Sequence, residues 1–258
     1  MKTISGLLKS QIPTYELHLP LSDKKISYRP FYVKEEKILL MALEDDKEHT
    51  MVTCIKNLLN SCVEDNIDVG ELPIIDIEYL FINVRAKSVG EICKPQIECP
   101  HTGQVVNLNI NLLDIKPPDR KTILDNKIKI KDSVGVTLSL PTLDLLIEND
   151  VENMNEGNAD QIIKLMAGSI EEIWTDEEIY KTSDLPKEEV IEFIESMSPS
   201  EFNKLSEFFD SIPEITHTVK YSVLNKDTNK KEEHEFVLNG MIAVSYTHLR
   251  AHETGRNL

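Results

Sequence analysis

Three residues near the middle of the chain have side chains that bind metal ions. Cys93, Cys99 and His101 lie within nine residues of one another, and thiolates and imidazoles are ligands of zinc. However, five residues separate the two cysteines, which is wider than the tight knuckle of most zinc sites, and no fourth ligand is evident. In the competing interpretation Cys99 is an inward-facing strand residue and His101 belongs to a turn. A hydrolase or zinc protein built on these residues is the one enzymatic hypothesis, and the zinc content of the purified protein tests it.

Other signatures of catalysis and cofactor binding are absent from the sequence. Phosphate-binding loops need closely spaced glycines, whereas the two nearest glycines are Gly157 and Gly168. The chain contains no Gly-x-Ser-x-Gly, His-Glu-x-x-His or Cys-x-x-Cys motif. The sequence therefore predicts a protein that is not an enzyme and binds no cofactor.

Composition limits the classes of partner. The 258 residues include 28 Lys and Arg against 45 Asp and Glu, a net charge of −17. Such a charge repels phosphate backbones, so no nucleic-acid partner is expected. The longest apolar run, Ile38 to Leu43, is far shorter than the roughly 20 residues that a membrane span requires. Four cysteines suit a reducing compartment, so we expect a soluble protein made in a cytosol.

The order of periodic segments predicts an α+β fold. Alternation around Tyr15 to Leu19 and a second extended piece at Ile26 to Tyr28 predict an N-terminal hairpin. Apolar residues at helical spacing then predict three helices: one over Lys34 to Leu43, a second from Met51 to Val63 and a third around Ile77 to Val84.

From Glu91 the apolar period changes from 3.6 to 2. Val106, Leu108, Ile110 and Leu112 alternate with polar residues, and further strands are predicted around residues 97–99, 128–130 and 134–140. Together they predict a compact antiparallel sheet of about four strands.

The C-terminal part returns to helices. The apolar residues Ile162, Met166, Ile170 and Ile173 predict one helix, and Val190 to Met197 predict another. A third begins at the capping box formed by Ser198 and Glu201. Two alternating segments, 216–223 and 234–238, predict a closing β-hairpin.

These patterns divide the chain into five parts. They are a hairpin and helical unit (1–90), an antiparallel β unit (91–147), an acidic exposed loop (148–160), C-terminal helices with a β-hairpin (161–243) and a final segment (244–258). The final segment reads as the translation of a transposase adapter used in shotgun sequencing, and we interpret it as an artefact outside the fold.

The sequence resembles the baseplate hub subunit or hub assembly protein family of T-even-type (T4-like) contractile-tailed bacteriophages. The resemblance covers almost the whole chain before residue 244. It is carried by these segments: Tyr28–Leu43, Leu72-Pro73, Asp76–Phe81, Arg85–Glu91, Glu98–Pro100, Val105–Ile115, Phe208-Phe209, Ile215–Tyr221 and Leu238–Gly240. Members of that family continue through a few aromatic residues after the final glycine, where this chain has the adapter-like segment.

The resemblance implies a non-enzymatic part in building the central hub of the tail baseplate, in the cytoplasm of the infected bacterium. Its partners would be other hub and tail proteins. The role of structural subunit and that of an assembly catalyst or chaperone, for example for the tape-measure protein, both stay open. Oligomeric state is not indicated.

Two short segments are the predicted partner contacts. The first contains Arg29 and Phe31, and the second contains Arg85 and Lys87. Arginine near aromatic residues is typical of interface hot spots. In the alternative, Phe31 anchors the first helix to the core and Arg85 pairs with a carboxylate such as Glu78. If these residues bind partners, replacing either arginine by alanine abolishes hub assembly without changing the melting temperature.

Overall fold

A computed structural model of the chain describes residues 12–44, 48–149, 159–225 and 230–239. Within these ranges the fold is α+β, as predicted. The seven helices are α1 (Val33–Glu44), α2 (Glu48–Cys62), α3 (Ile74–Ser88), α4 (Leu143–Glu148), α5 (Ala159–Gly168), α6 (Lys187–Glu195) and α7 (Pro199–Asp210). The twelve strands are β1 (Tyr15–His18), β2 (Lys25–Tyr28), β3 (Ile92–Cys93), β4 (Gln96–Glu98), β5 (Val105–Asn107), β6 (Ile110–Asn111), β7 (Lys127–Lys131), β8 (Val134–Leu138), β9 (Ile170–Thr175), β10 (Ile179–Lys181), β11 (Thr216–Asn225) and β12 (Lys230–Asn239).

The predicted N-terminal hairpin and the three helices that follow it are present. β1 pairs antiparallel with β2, with Tyr15 opposite Tyr28. Tyr28 also bridges to Val63, directly after α2, so the hairpin is held to the end of that helix. The hairpin and the three helices enclose a first core cluster that includes the fully buried Leu59 and Leu80.

Helix α3 is the central element because it is buried on two faces. Ile77 and Leu80 belong to the first core cluster, whereas Ile75, Ile82 and Ala86 belong to a second one, which also contains residues of the central strands and of the β11–β12 hairpin. The sequence prediction recognised only the first face. A helix that is apolar on both sides shows little amphipathic period, as expected for a helix inside the core.

The predicted central sheet of about four strands is wrong, because its strands belong to three separate sheets. β3 pairs with β6 and β4 pairs with β5, each as a two-stranded sheet. The alternation from Val106 to Leu112 predicts one strand, but the chain leaves β4 after Asn107 and pairs with β3 from Ile110. Leu108, Ile110 and Leu112 are buried as predicted, since the side chains keep their period across this break.

The prediction that Ile170 and Ile173 continue a helix is also wrong. α5 ends at Gly168, and both isoleucines lie on β9, in a four-stranded sheet with the order β10-β9-β8-β7. Spacings of three and four residues fit a helix by chance in so short an apolar run, whereas β-branched residues favour strands. This sheet packs on α5, α6 and α7 around a third core cluster containing Val136, Leu205 and Phe208.

The last two helices, α6 and α7, and the closing hairpin agree with the prediction. The capping box of Ser198 and Glu201 opens α7, and β11 pairs with β12 over ten residues each. Lys204 of α7 donates to the carbonyl oxygens of Lys129 and Ile130 at 3.2 and 2.6 Å, which occupies backbone acceptors of β7, an outer strand of its sheet. Residues 150–158 of the predicted acidic loop and all of segment 244–258 lie outside the described ranges.

Candidate interaction surface

Arg29 is tied to the first turn of α1 by a two-pronged ion pair. Its Nη2 and Nη1 atoms lie 2.9 and 3.1 Å from the two carboxylate oxygens of Glu35. The guanidinium also donates to the carbonyl oxygens of Ser61 at 2.6 Å and Pro30 at 2.8 Å, and it stacks 4.1 Å from the centre of the Tyr32 ring. The arginine therefore joins the hairpin, α1 and the end of α2.

Burial makes this ion pair a structural one. The side chains of Arg29 and Glu35 are 15% and 6% exposed. Burial alone would raise the pKa of Glu35, but hydrogen bonds from Arg29 and the Tyr32 amide, together with the Arg29 charge, hold that pKa below its ordinary value. The carboxylate also lies at the N-terminal end of α1, where the helix dipole favours negative charge.

The second predicted contact segment lies next to the first. The Phe31 amide donates to Ser88 Oγ at 2.9 Å, which joins the entry to α1 with the end of α3. Arg85 is 3% exposed, and its Nη2 lies 3.5 Å from Cys93 Sγ. Burial lowers the pKa of Arg85. Lys87 forms an ion pair of 2.8 Å with Glu91 at the surface.

The positions of these side chains favour a structural role over partner contact for both arginines. Arg85 is buried, the Arg29 side chain is 15% exposed, and Phe31 packs against the first core cluster. Replacing either arginine by alanine is therefore expected to lower the melting temperature. Among the four predicted contact residues Arg85 is buried and the other three are half-buried, with 26% of the Lys87 side chain exposed.

The exposed apolar surface of this region lies on the outer face of α1. Val33, Ile38 and Met41 are 80%, 51% and 57% exposed, although each is apolar. Lys34 and Lys37 are exposed beside them. The opposite side of the helix carries Glu35 and Leu39, which are buried.

The sequence analysis predicts a helix over Lys34 to Leu43 but does not distinguish its two sides, so it does not identify this surface. One signal in the sequence could have indicated it: the apolar residues of α1 are too many to lie on a single side of the helix. Leu39 lies on the inner side, whereas Ile38 and Met41 lie on the outer side. We call the set formed by Val33, Lys34, Lys37, Ile38 and Met41 the outer α1 face.

The structure does not bring the three metal-ligand candidates together. Cys93 lies on β3 beside Arg85. His101 lies in the turn after β4, and its ring stacks on that of His234 with 4.6 Å between the centroids. In the part of the chain that the structure describes, no three His, Cys, Asp or Glu side chains are grouped so that they could hold a metal ion.

Cys99 is buried at the base of the same turn. The pKa of the Cys99 thiol is lowered to about 7, most strongly by a hydrogen bond with Thr102 and next by one with Tyr221 on β11. The turn is closed by the Gly103 amide, which donates to the Cys99 carbonyl oxygen at 2.8 Å. Gly103 has a φ of +64°, a conformation that favours glycine. Cys99 and His101 thus attach the β4–β5 turn to the β11–β12 hairpin.

Taken together, the fold and its exposed side chains define an α+β protein whose clearest surface feature is an apolar, lysine-flanked helix face suited to protein contact. The chain belongs to the family described as T4 bacteriophage base plate protein, whose model matches residues 12–243. No curated protein and no solved structure gives a significant match. None of the described helices combines the length and the apolar character needed to cross a bilayer.

Proposed function

We propose that this base plate family member is a non-enzymatic subunit or assembly factor of the central hub of the tail baseplate. The match to the family over residues 12–243 carries the proposal. The outer α1 face supports it, since a large exposed apolar surface marks sites of protein contact. The proposed partners are other hub and tail proteins, met in the cytoplasm of the infected bacterium and retained in the virion.

The dispersal of the metal-ligand candidates supports a non-enzymatic role. Cys93 packs beside Arg85, whereas Cys99 and His101 contact the closing hairpin. Zinc at a tenth of an equivalent or less in the purified protein is expected, and a full equivalent would contradict the proposal.

The alternative is a transient chaperone or assembly catalyst, for example for the tape-measure protein, that leaves before the tail is finished. The net charge of −17 favours it, because a highly charged carrier keeps an apolar client in solution. The outer α1 face fits this role as well as that of a permanent subunit.

Quantitative mass spectrometry separates the two roles. Peptides of this protein are measured in purified phage particles and in the infected-cell lysate from which the particles came. A fixed ratio to other baseplate proteins in the particles is the result expected for a hub subunit. Abundance in the lysate with absence from the particles would instead establish the chaperone or catalyst.

A further inference from the structure

The outer α1 face has the geometry of a docking ridge. Each residue turns the helix by about 100°, so the five residues of this face lie within an arc of about 140°. Val33 lies at one edge of the arc and Ile38 at the other. Val33, Lys37 and Met41 follow one another along the helix at intervals of four residues, and Lys34 and Ile38 form a parallel row. α1 has twelve residues, and three of its large apolar side chains are at least half exposed. Single exposed apolar residues are normal on a surface helix, but three on one face form a patch.

The charge of this face differs from that of the molecule. The chain carries 17 more negative than positive charges, whereas the charged residues of the outer α1 face are Lys34 and Lys37. Glu44 falls on the same arc of the helix only at the last position of α1. The Lys34 side chain is 70% exposed, and its Nζ lies 3.6 Å from Glu35 Oε1. Because Arg29 pairs with the same carboxylate, the group formed by Arg29, Lys34 and Glu35 keeps a net positive charge. An acidic partner segment would meet local positive charge here while being repelled by most of the remaining surface.

The face is also held in a fixed orientation. The Arg29–Glu35 ion pair attaches the first turn of α1 to the hairpin and to α2, and Leu39 anchors the helix to the first core cluster. A rigid helix loses little entropy when a partner binds to it.

We propose that the outer α1 face binds an acidic amphipathic helix of a partner protein. Leucine-like side chains of that helix would pack between Val33, Ile38 and Met41, and its carboxylates would pair with Lys34 and Lys37. An anionic membrane is the other surface that binds lysine-flanked apolar helices, but segments that bind such membranes carry clusters of about four to eight basic residues, whereas this face has Lys34 and Lys37 alone. This inference rests on the proposed function and names the chemistry of the partner.

A synthetic peptide tests the proposal directly. The probe is a labelled helix with leucines at i, i+3, i+4 and i+7 and glutamates elsewhere, and binding to the full chain is followed by fluorescence anisotropy. Two control peptides have the same composition in scrambled order, or lysine in place of every glutamate. We expect saturable binding of the probe, weakening in about 0.5 M salt, and no binding of either control. The proposal would be overturned if the scrambled peptide bound equally well. It would also be overturned if the protein bound anionic phosphatidylglycerol vesicles but not the probe.

Matched variants locate the site. Lys34→Glu/Lys37→Glu and Val33→Ser/Ile38→Ser/Met41→Ser should each weaken probe binding by roughly tenfold or more. The control Ile179→Ser/Lys181→Glu changes an equally exposed apolar residue and lysine on β10 and should bind as the wild type does. Circular dichroism melts check that every variant is folded. Undiminished binding by both folded α1 variants would overturn the proposal.

Complementation separates this inference from the proposed function. A phage lacking the gene is supplied with wild-type protein, the charge-reversed α1 variant or the β10 control, and tails are counted by electron microscopy. Tails are expected with the wild type and the control but not with Lys34→Glu/Lys37→Glu. Restoration by that variant as well would overturn the docking site alone, whereas normal tails without any protein would overturn the proposed function.

Discussion

At the scale of single residues, arginines that look like contact residues in the sequence are placed inside the fold. Arg29 follows Tyr28 and precedes Pro30 and Phe31. Arginine among aromatic residues occurs in interface hot spots and also in ion pairs within a fold. Composition cannot distinguish them, because the distinction depends on which carboxylate lies within reach. Glu35 is six positions along the chain and becomes a partner only because the chain turns into α1.

The first prediction concerns this ion pair. Arg29→Ala leaves the buried Glu35 carboxylate without its main partner and should destabilise the protein by about 3 kcal/mol. Chemical denaturation followed by circular dichroism measures the loss. The double variant Arg29→Met/Glu35→Leu removes both charges and should recover most of the stability. An unchanged free energy of unfolding for Arg29→Ala would show that the pair is not structural.

The same pair has a predictable pH dependence. The pKa of Glu35 is lowered in the folded protein from an ordinary value of 4.5. Its contribution to stability is therefore complete above that value and is lost as the pH falls through the lowered pKa. The stability advantage of the wild type over Arg29→Met should shrink in acid.

At the scale of elements, period alone placed the long helices correctly but failed in short apolar runs. α1, α2 and α3 extend over 12 to 15 residues, enough turns for the spacing to be unambiguous. Ile170 and Ile173 lie just after Gly168, where two apolar positions fit either a helix or a strand. They form a strand because they pair with β8, which lies more than thirty residues earlier in the chain.

The second prediction tests that pairing. Gly135 on β8 lies opposite Trp174 on β9, and a Cβ atom at this position would overlap the indole ring. Gly135→Ala should therefore destabilise the sheet by about 2 kcal/mol and shift the fluorescence of Trp174, which is the single tryptophan of the chain.

A smaller partner side chain provides the control for this substitution. Trp174→Leu added to Gly135→Ala relieves the overlap and should raise the melting temperature above that of Gly135→Ala. Wild-type stability and fluorescence in Gly135→Ala alone would contradict the close approach of the two strands.

At the scale of the whole molecule, three core clusters share few elements, and α3 connects two of them. The family match ends at residue 243, one residue before the segment interpreted as adapter-derived. That interpretation predicts that the final fifteen residues contribute nothing to the fold.

The third prediction follows from this interpretation. A chain ending at residue 243 should melt at the same temperature as the 258-residue chain and bind the acidic peptide probe equally well. Differential scanning calorimetry of both chains makes the comparison. A fall of several degrees on truncation would show that residues 244–258 pack against the fold.

Local period and residue order were enough to predict the α+β class, the long helices, the capping box of α7, the closing hairpin and the resemblance to baseplate proteins. Contacts between distant parts of the chain set which strands pair, bury Arg85 and cover most of Arg29, and they leave Val33, Ile38 and Met41 facing solvent. Burial depends on what packs against a residue, and a helix with apolar residues on two sides does not indicate which side the rest of the chain will cover.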